Sequence, residues 1–101
     1  MAENILTESE AAKVLRTGED DPVMLDLLPQ VDAYIENATG RDWAADEPIQ
    51  AAAKSAARML LVRWYEDPGG MAAGVSLGFG LNAALVQLKV LALELAEEES
   101  V

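Results

Sequence analysis

The segment 82–98 constrains the fold most, because it is apolar on two nearly opposite sides when it is drawn as a helix. One stripe consists of Leu81, Leu85, Leu88, Ala92 and Leu95. A second stripe consists of Val86, Val90 and Leu93, and lies almost opposite the first at about 100° per residue. Such a helix needs two surfaces to pack against. The domain core supplies one, and we expect another subunit to supply the second. The alternative is that the other helices of this chain cover both sides.

Start and stop signals divide the preceding sequence into three more helices. Their predicted starts are a capping residue or a proline, and glycines are placed to end the first two. The clearest start is the capping box of Thr7 and Glu10, with Gly18 as the stop signal. Pro29 is expected to kink the second helix or divide it. Pro48 is expected to open the third. With the last helix included, the predicted elements are 8–17, 22–39, 48–66 and 82–98.

A long glycine-rich loop over 67–81 is predicted between the third and fourth helices. It holds five glycines and four large apolar side chains ahead of Leu81: Met71, Val75, Leu77 and Phe79. Loops of this length are usually functional or mobile. We expect contact with another chain to order it, with folding over the chain's own core as the alternative. No segment alternates like a β-strand, so the predicted fold is all-α, a small four-helix single domain over 1–101.

The chain is strongly acidic, with 18 acidic and 7 basic residues and a formal net charge of −11 over 101 residues. A surface of this charge repels a phosphate backbone, so specific nucleic-acid binding is not expected. The acidity serves simple solubility, or it lets DNA pass nearby without sticking, and composition does not choose between the two. An acidic mimic of DNA that inhibits a DNA-binding protein, or another helical interaction module, is the alternative function.

The residue types that carry most enzyme chemistry are missing. The chain has no cysteine and no histidine, which removes thiolate chemistry, the commonest general base and the commonest metal ligand. Serine and threonine therefore lack an activating histidine. Asp26, Asp32 and Glu36 are expected on the solvated face of the second helix, and Lys54 with Arg58 on the solvated face of the third. We expect no enzymatic activity, no cofactor and no metal site.

An uncharged stretch over 68–88 is long enough to span a bilayer. It contains five glycines, a proline and three polar residues, so it is predicted to be a loop running into a helix and not a membrane span. The first residues also lack the basic start and apolar run of a secretory signal. No membrane partner is expected.

Three segments in order resemble a known family. The first is Leu6-Thr7 with the acidic helix and linker that follow, up to Pro22. The second is 33–41, a helix end closed by Thr-Gly-Arg. The third is the alanine-rich helix ending in 60–66, then the glycine-rich loop, then 78–81 and the leucines after it. Together they resemble the small head–tail connector, or adaptor, proteins of long-tailed double-stranded DNA phages, over nearly the whole chain. Pro29 and the short acidic tail depart from the pattern.

The resemblance implies a ring of about twelve identical subunits, docked beneath the portal protein at the capsid vertex. Such a ring extends the DNA channel, lets genomic DNA pass without specific binding, and presents a surface to the next neck or tail component. The protein would be made in the bacterial host cytoplasm and reside at the head–tail junction of the virion.

The resemblance also assigns roles to side chains. Tyr34, Trp64 and Tyr65 are expected in the core, and the alanines of the third helix either in the core or at a close subunit contact. The expected subunit or portal interface consists of Met71, Val75, Leu77, Phe79, Val86, Val90, Leu93, Glu97, Glu98, Glu99 and Val101.

Overall fold

The computed structural model describes residues 4–66 and 79–99. In these ranges the chain forms four α-helices and a short 3₁₀ helix, and no strand, which confirms the predicted all-α, four-helix fold. The elements are α1 (Glu8–Leu15), α2 (Pro22–Thr39), the 3₁₀ helix (Trp43–Ala45), α3 (Ala51–Glu66) and α4 (Phe79–Glu99). Most of the predicted loop, 67–78, lies outside the described residues.

The start of α1 follows the sequence signal, but its end does not. The Thr7 hydroxyl accepts the Glu10 amide at 3.0 Å, and a Glu10 carboxylate oxygen accepts the Thr7 amide at 2.9 Å. Gly18 was expected to end the helix after residue 17. Instead Arg16 adopts a left-handed conformation with φ of 59°, and its amide donates to the Lys13 carbonyl at 3.3 Å. Arg16 thus closes the helix a little earlier, in the conformation that glycine usually supplies.

Helix α2 matches its predicted bounds and runs unbroken through Pro29. Asp21 caps its start, with one carboxylate oxygen accepting the Val23 amide at 2.9 Å, and Gly40 closes its end with φ of 81°. Pro29 is exposed and cannot donate to the carbonyl one turn earlier. In the adjacent position the Gln30 side-chain amide donates to the Asp26 carbonyl at 3.0 Å, which adds a hydrogen bond to this weakened turn.

The starts of α3 and α4 differ from the prediction. Pro48 does not open α3: it follows a cis peptide bond in the connection, and the helix begins at Ala51. Helix α4 begins at Phe79, so residues 79–81, which were predicted as loop, form its first turn. A Cβ added to Gly80 would meet no atom within 4 Å, so no close packing requires a glycine at this position.

The core lies where α2, α3 and α4 pack against one another, with α1 against α3. Ala53, Ala56 and Ala57 of α3 are fully buried, so part of the alanine stripe belongs to the core and brings neighbouring backbones close. Trp43 of the 3₁₀ helix is also buried, and its ring N–H donates to the Thr39 hydroxyl at 2.8 Å. This bond satisfies the one polar atom that the indole brings into the core.

The three aromatic residues expected in the core occupy three different environments. Trp64 is buried, but Tyr34 is 38% exposed, so its assignment to the core is wrong. The Tyr34 ring lies edge-on to Trp64, with the ring centroids 5.4 Å apart, and covers the core from outside. Tyr65 is half-buried, and its hydroxyl donates to a carboxylate oxygen of Asp21 at 2.5 Å, which ties α3 to the start of α2.

Candidate interaction surface

Helix α4 presents an apolar stripe to the surface, as its two-sided sequence pattern predicts. Its inward side buries Leu81, Leu88 and Ala92. On the outward side Val86 is 64% exposed, Val90 51% and Leu93 63%. These three residues, called the α4 stripe below, follow the i, i+4, i+7 spacing of one helix face. The described part of the chain therefore leaves the second apolar face of this helix accessible.

The energy available from the α4 stripe is limited. Complete burial of a valine or leucine contributes about 1.5–3 kcal/mol, and these three side chains are already partly covered. Further burial would contribute about 1 kcal/mol each. A micromolar complex needs about 8 kcal/mol after the entropic cost of association is met. The stripe is therefore one part of any stable interface, and a partner must also make contact beside it.

Acidic residues follow the stripe towards the C-terminal end of α4. Of the three acids expected at an interface, Glu97 and Glu98 lie exposed on the last turn. Glu99 instead contacts its own chain, accepting from the Arg41 guanidinium at 2.7 Å. Arg41 also donates to Asp46 at 2.6 Å. Hydrogen bonds to Asp46 and to Glu99 raise the pKa of Arg41, so this cation joins the end of α4 to the connection after α2.

Five residues of the expected interface remain: Met71, Val75, Leu77, Phe79 and Val101. Met71, Val75, Leu77 and Val101 lie outside the described residues. Phe79 forms the first residue of α4. The structure therefore brings Val86, Val90 and Leu93 together on one helix face, with the acidic residues Glu97 and Glu98 beyond them.

A groove that the sequence did not predict lies between α1, α3 and the start of α4. It has a volume of about 490 Å³, and its described lining is Val14, Arg58, Met59, Val62, Arg63, Glu66 and Leu81. Met59 is 43% exposed in it. We call it the α1–α3 groove. It combines apolar walls with two of the seven basic residues of a chain that carries 18 acids. No local sequence pattern predicts it, because its walls come from three segments that lie far apart along the chain.

A cluster of partly buried charged side chains holds the N-terminal segment, contrary to the expectation that Asp32 and Lys54 lie on solvated helix faces. Both carboxylate oxygens of Asp32 accept the Ile5 amide at 3.2 Å. The Lys54 ammonium donates to the Ile5 carbonyl at 3.1 Å and to a Glu10 carboxylate oxygen at 2.6 Å. Ile5 itself is buried. The two charged side chains thus fix the backbone on both sides of a core residue.

The electrostatics of this cluster differ at its two acids. Burial raises the pKa of Asp32 to about 6, and the negative charges of Asp42 and Glu36 add to the rise. The hydrogen bond from the Ile5 amide acts in the opposite direction and lowers this pKa. Burial also tends to raise the pKa of Glu10, but hydrogen bonds from Lys54 and Thr7 outweigh this effect, and the pKa of Glu10 is lowered. A carboxyl with a raised pKa marks a candidate catalytic site only when it faces a cleft. Asp32 faces a backbone amide of its own chain, so we assign it a structural role.

Comparison of the chain with models of protein families, with curated proteins and with solved structures gives no match. Over residues 4–66 and 79–99, no group of three or more acidic side chains is placed to hold a metal ion. In the same ranges no helix combines the length and the apolar character that crossing a membrane requires.

Proposed function

We propose that this protein is a structural assembly subunit that forms an oligomeric ring, docks on a phage portal, extends the DNA channel and joins the capsid to the neck or tail. The observation that supports this most directly is the α4 stripe, since Val86, Val90 and Leu93 are exposed although the opposite side of the same helix is in the core. An apolar helix face left exposed in this way is a candidate contact with another protein. The resemblance of the three sequence segments to head–tail connectors specifies which kind of assembly.

The charge of the chain supports the same proposal. At −11, the subunit repels the DNA backbone, and a ring of such subunits multiplies that repulsion around a central channel. DNA inside an acidic channel is kept from adhering to the wall. Charge alone supports a DNA mimic equally well, but mimicry of DNA by charge does not account for the exposed apolar face of α4.

Native mass spectrometry of the purified protein, alone and then mixed with its candidate portal, tests the proposal. The expected result is a ring of about twelve copies in at least one of the two samples. A protein that stays monomeric and never joins the portal would refute the proposal. Retention of a basic protein in a salt-sensitive pull-down would then favour the DNA mimic.

A single substitution tests whether assembly depends on the α4 stripe. Val90→Asp places a charge at the centre of the α4 stripe and should abolish assembly while leaving the helical circular dichroism spectrum unchanged. Asn37→Asp adds the same charge at an exposed position of α2 and serves as the matched control. Rings that form normally with Val90→Asp would show that the stripe is not an assembly surface.

A further inference from the structure

Two accessible apolar surfaces lie on different sides of the subunit. The α4 stripe faces outward from α4, whereas Leu81, at the edge of the α1–α3 groove, belongs to the buried side of the same helix. At 3.6 residues per turn, Leu81 and Val90 lie on opposite sides of the helix axis. The opposite wall of the groove carries Val14 from α1, and Met59 and Val62 from α3. One neighbouring copy cannot cover both surfaces with a single flat contact.

The charges beside the two surfaces differ in sign. Arg58 and Arg63 line the groove, with Glu66 as the one acid among its described lining residues. Arg58 already lies 3.7 Å from Glu10, and its side chain is partly exposed, so it retains access to a second carboxylate. Beside the stripe, Glu94 lies on one flank and Lys89 on the other, and Glu97 follows it one turn on. The groove is therefore net basic, and the stripe and its C-terminal extension are net acidic.

These charges disfavour symmetric pairing of either surface with itself. A parallel stripe-to-stripe contact would bring the acidic ends of two α4 helices together, and a groove-to-groove contact would bring arginines of two copies together. Juxtaposed like charges cost several kcal/mol at an interface. A stripe-to-groove contact instead places the exposed Glu94 of one copy near the partly exposed Arg58 of the next. It also matches an i, i+4, i+7 helix face to an apolar groove, a common mode of helix recognition.

We propose that the α4 stripe of one subunit docks into the α1–α3 groove of the next, so that copies of this chain join head to tail. Because the two surfaces differ, each subunit keeps one free stripe and one free groove after a contact forms. Repetition of such a contact generates a closed ring, or a filament where the rotation does not close. The proposal deepens the proposed function by naming the subunit interface, and it rests on self-association as part of that function.

Cross-linking tests this contact directly, because the chain contains no cysteine of its own. Val90→Cys marks the stripe and Met59→Cys marks the groove, and both positions are exposed in the subunit. Mixed under oxidising conditions, these two variants should form a disulfide-linked heterodimer at least about tenfold faster than Val90→Cys mixed with the exposed control Asn37→Cys. Val90→Cys alone should form little homodimer. The same mixtures are run with and without the portal.

The outcomes separate this contact from the function on which it rests. A homodimer of Val90→Cys as the main product would replace head-to-tail contact with a symmetric one. A heterodimer yield no higher than that of the Asn37→Cys control would refute the contact, although the proposed function stands if the wild-type protein still joins the portal. A rapid heterodimer from a protein that never joins a portal would support the contact and overturn the connector function.

Complementary charged variants provide a second test without covalent capture. Val90→Asp keeps an intact groove, and Met59→Asp keeps an intact stripe. Each alone should fail to form higher oligomers, whereas their mixture should yield a heterodimer and nothing larger, because only one compatible stripe and groove remain. Normal assembly by Met59→Asp alone would overturn the proposal.

Discussion

Replacing Asp32 by asparagine should stabilise the protein near neutral pH by removing a charge that folding partly buries. In the folded chain the pKa of Asp32 is about 6, and in an unfolded chain an aspartate titrates near about 3.9. A difference of about 2 units corresponds to at most about 3 kcal/mol. Because the Asp32 side chain is only partly buried, solvent screening reduces the expected effect to about 1–2 kcal/mol.

The direction of the pH dependence follows from proton binding. Between about pH 4 and about pH 6 the folded state holds a proton on Asp32 that the unfolded state has already released. The contribution of this group to stability is therefore complete below about pH 4 and is lost as the pH rises to about 6 and above. This is the reverse of the contribution from Glu10, whose lowered pKa stabilises the fold above its unfolded pKa and is lost as the pH falls.

Urea unfolding followed by helical circular dichroism measures the effect, at a series of pH values from about 4 to about 8. The free energy of unfolding of Asp32→Asn minus that of the wild type should become more positive by about 1–2 kcal/mol across this range, since groups common to both cancel. The asparagine side-chain oxygen can still accept the Ile5 amide. Asp26→Asn removes an exposed carboxylate from the same helix and is the control. A difference that stays flat, or one that falls with pH, would refute the assigned environment of Asp32.

Three further substitutions test other contacts by equilibrium unfolding. Lys54→Met removes the partner of Glu10 and should destabilise the fold by about 1–3 kcal/mol above about pH 5, with the loss shrinking in acid as Glu10 protonates. Trp43→Phe leaves the buried Thr39 hydroxyl without its indole donor and should cost about 1–3 kcal/mol, while an unchanged midpoint would contradict the bond. Gly40→Ala meets no atom within 4 Å, so its expected loss of about 1–2 kcal/mol reports the left-handed backbone alone.

Local signals predicted those parts of the fold that depend on neighbours in sequence. The capping box of Thr7 and Glu10 and the glycine after α2 fixed helix ends because each acts within one turn. The exposure of the α4 stripe follows equally from helical periodicity, which places Val86, Val90 and Leu93 opposite the leucines of the core. The prediction that Pro48 opens α3 was wrong, since the helix begins at Ala51. Proline is common both in the first turn of a helix and in connections, and the sequence does not distinguish the two.

Contacts between distant segments could not be predicted in this way. Periodicity placed Asp32 and Lys54 on polar helix faces, but the N-terminal segment packs against these two side chains and partly buries them. Ile5, whose amide and carbonyl they bind, lies 27 positions from Asp32 and 49 positions from Lys54 along the chain. The α1–α3 groove escaped prediction for the same reason. Its polar and apolar residues appear unrelated in the sequence and become one surface only when three helices pack.

The proposed stripe-to-groove contact depends on how the few basic residues of this acidic chain are distributed. Lys54 is engaged with Glu10, and Arg41 with Asp46 and Glu99, so these cations stabilise the fold itself. Arg58 and Arg63 line the groove, and the partly exposed Arg58 remains within reach of a neighbouring acidic helix. Copies that each carry a charge of −11 repel one another over long distances, and physiological salt screens that repulsion beyond about 8 Å.

A short contact between Arg58 and a neighbouring carboxylate is screened much less when the apolar stripe excludes water around it. Raising the salt concentration from very low values should therefore strengthen the proposed stripe-to-groove contact, until the local ion pairs are themselves weakened. A complex of an acidic DNA mimic with a basic partner follows the opposite rule, because salt weakens it throughout. The sign of the salt dependence near low ionic strength thus separates an acidic protein that binds its own copies from one that imitates DNA.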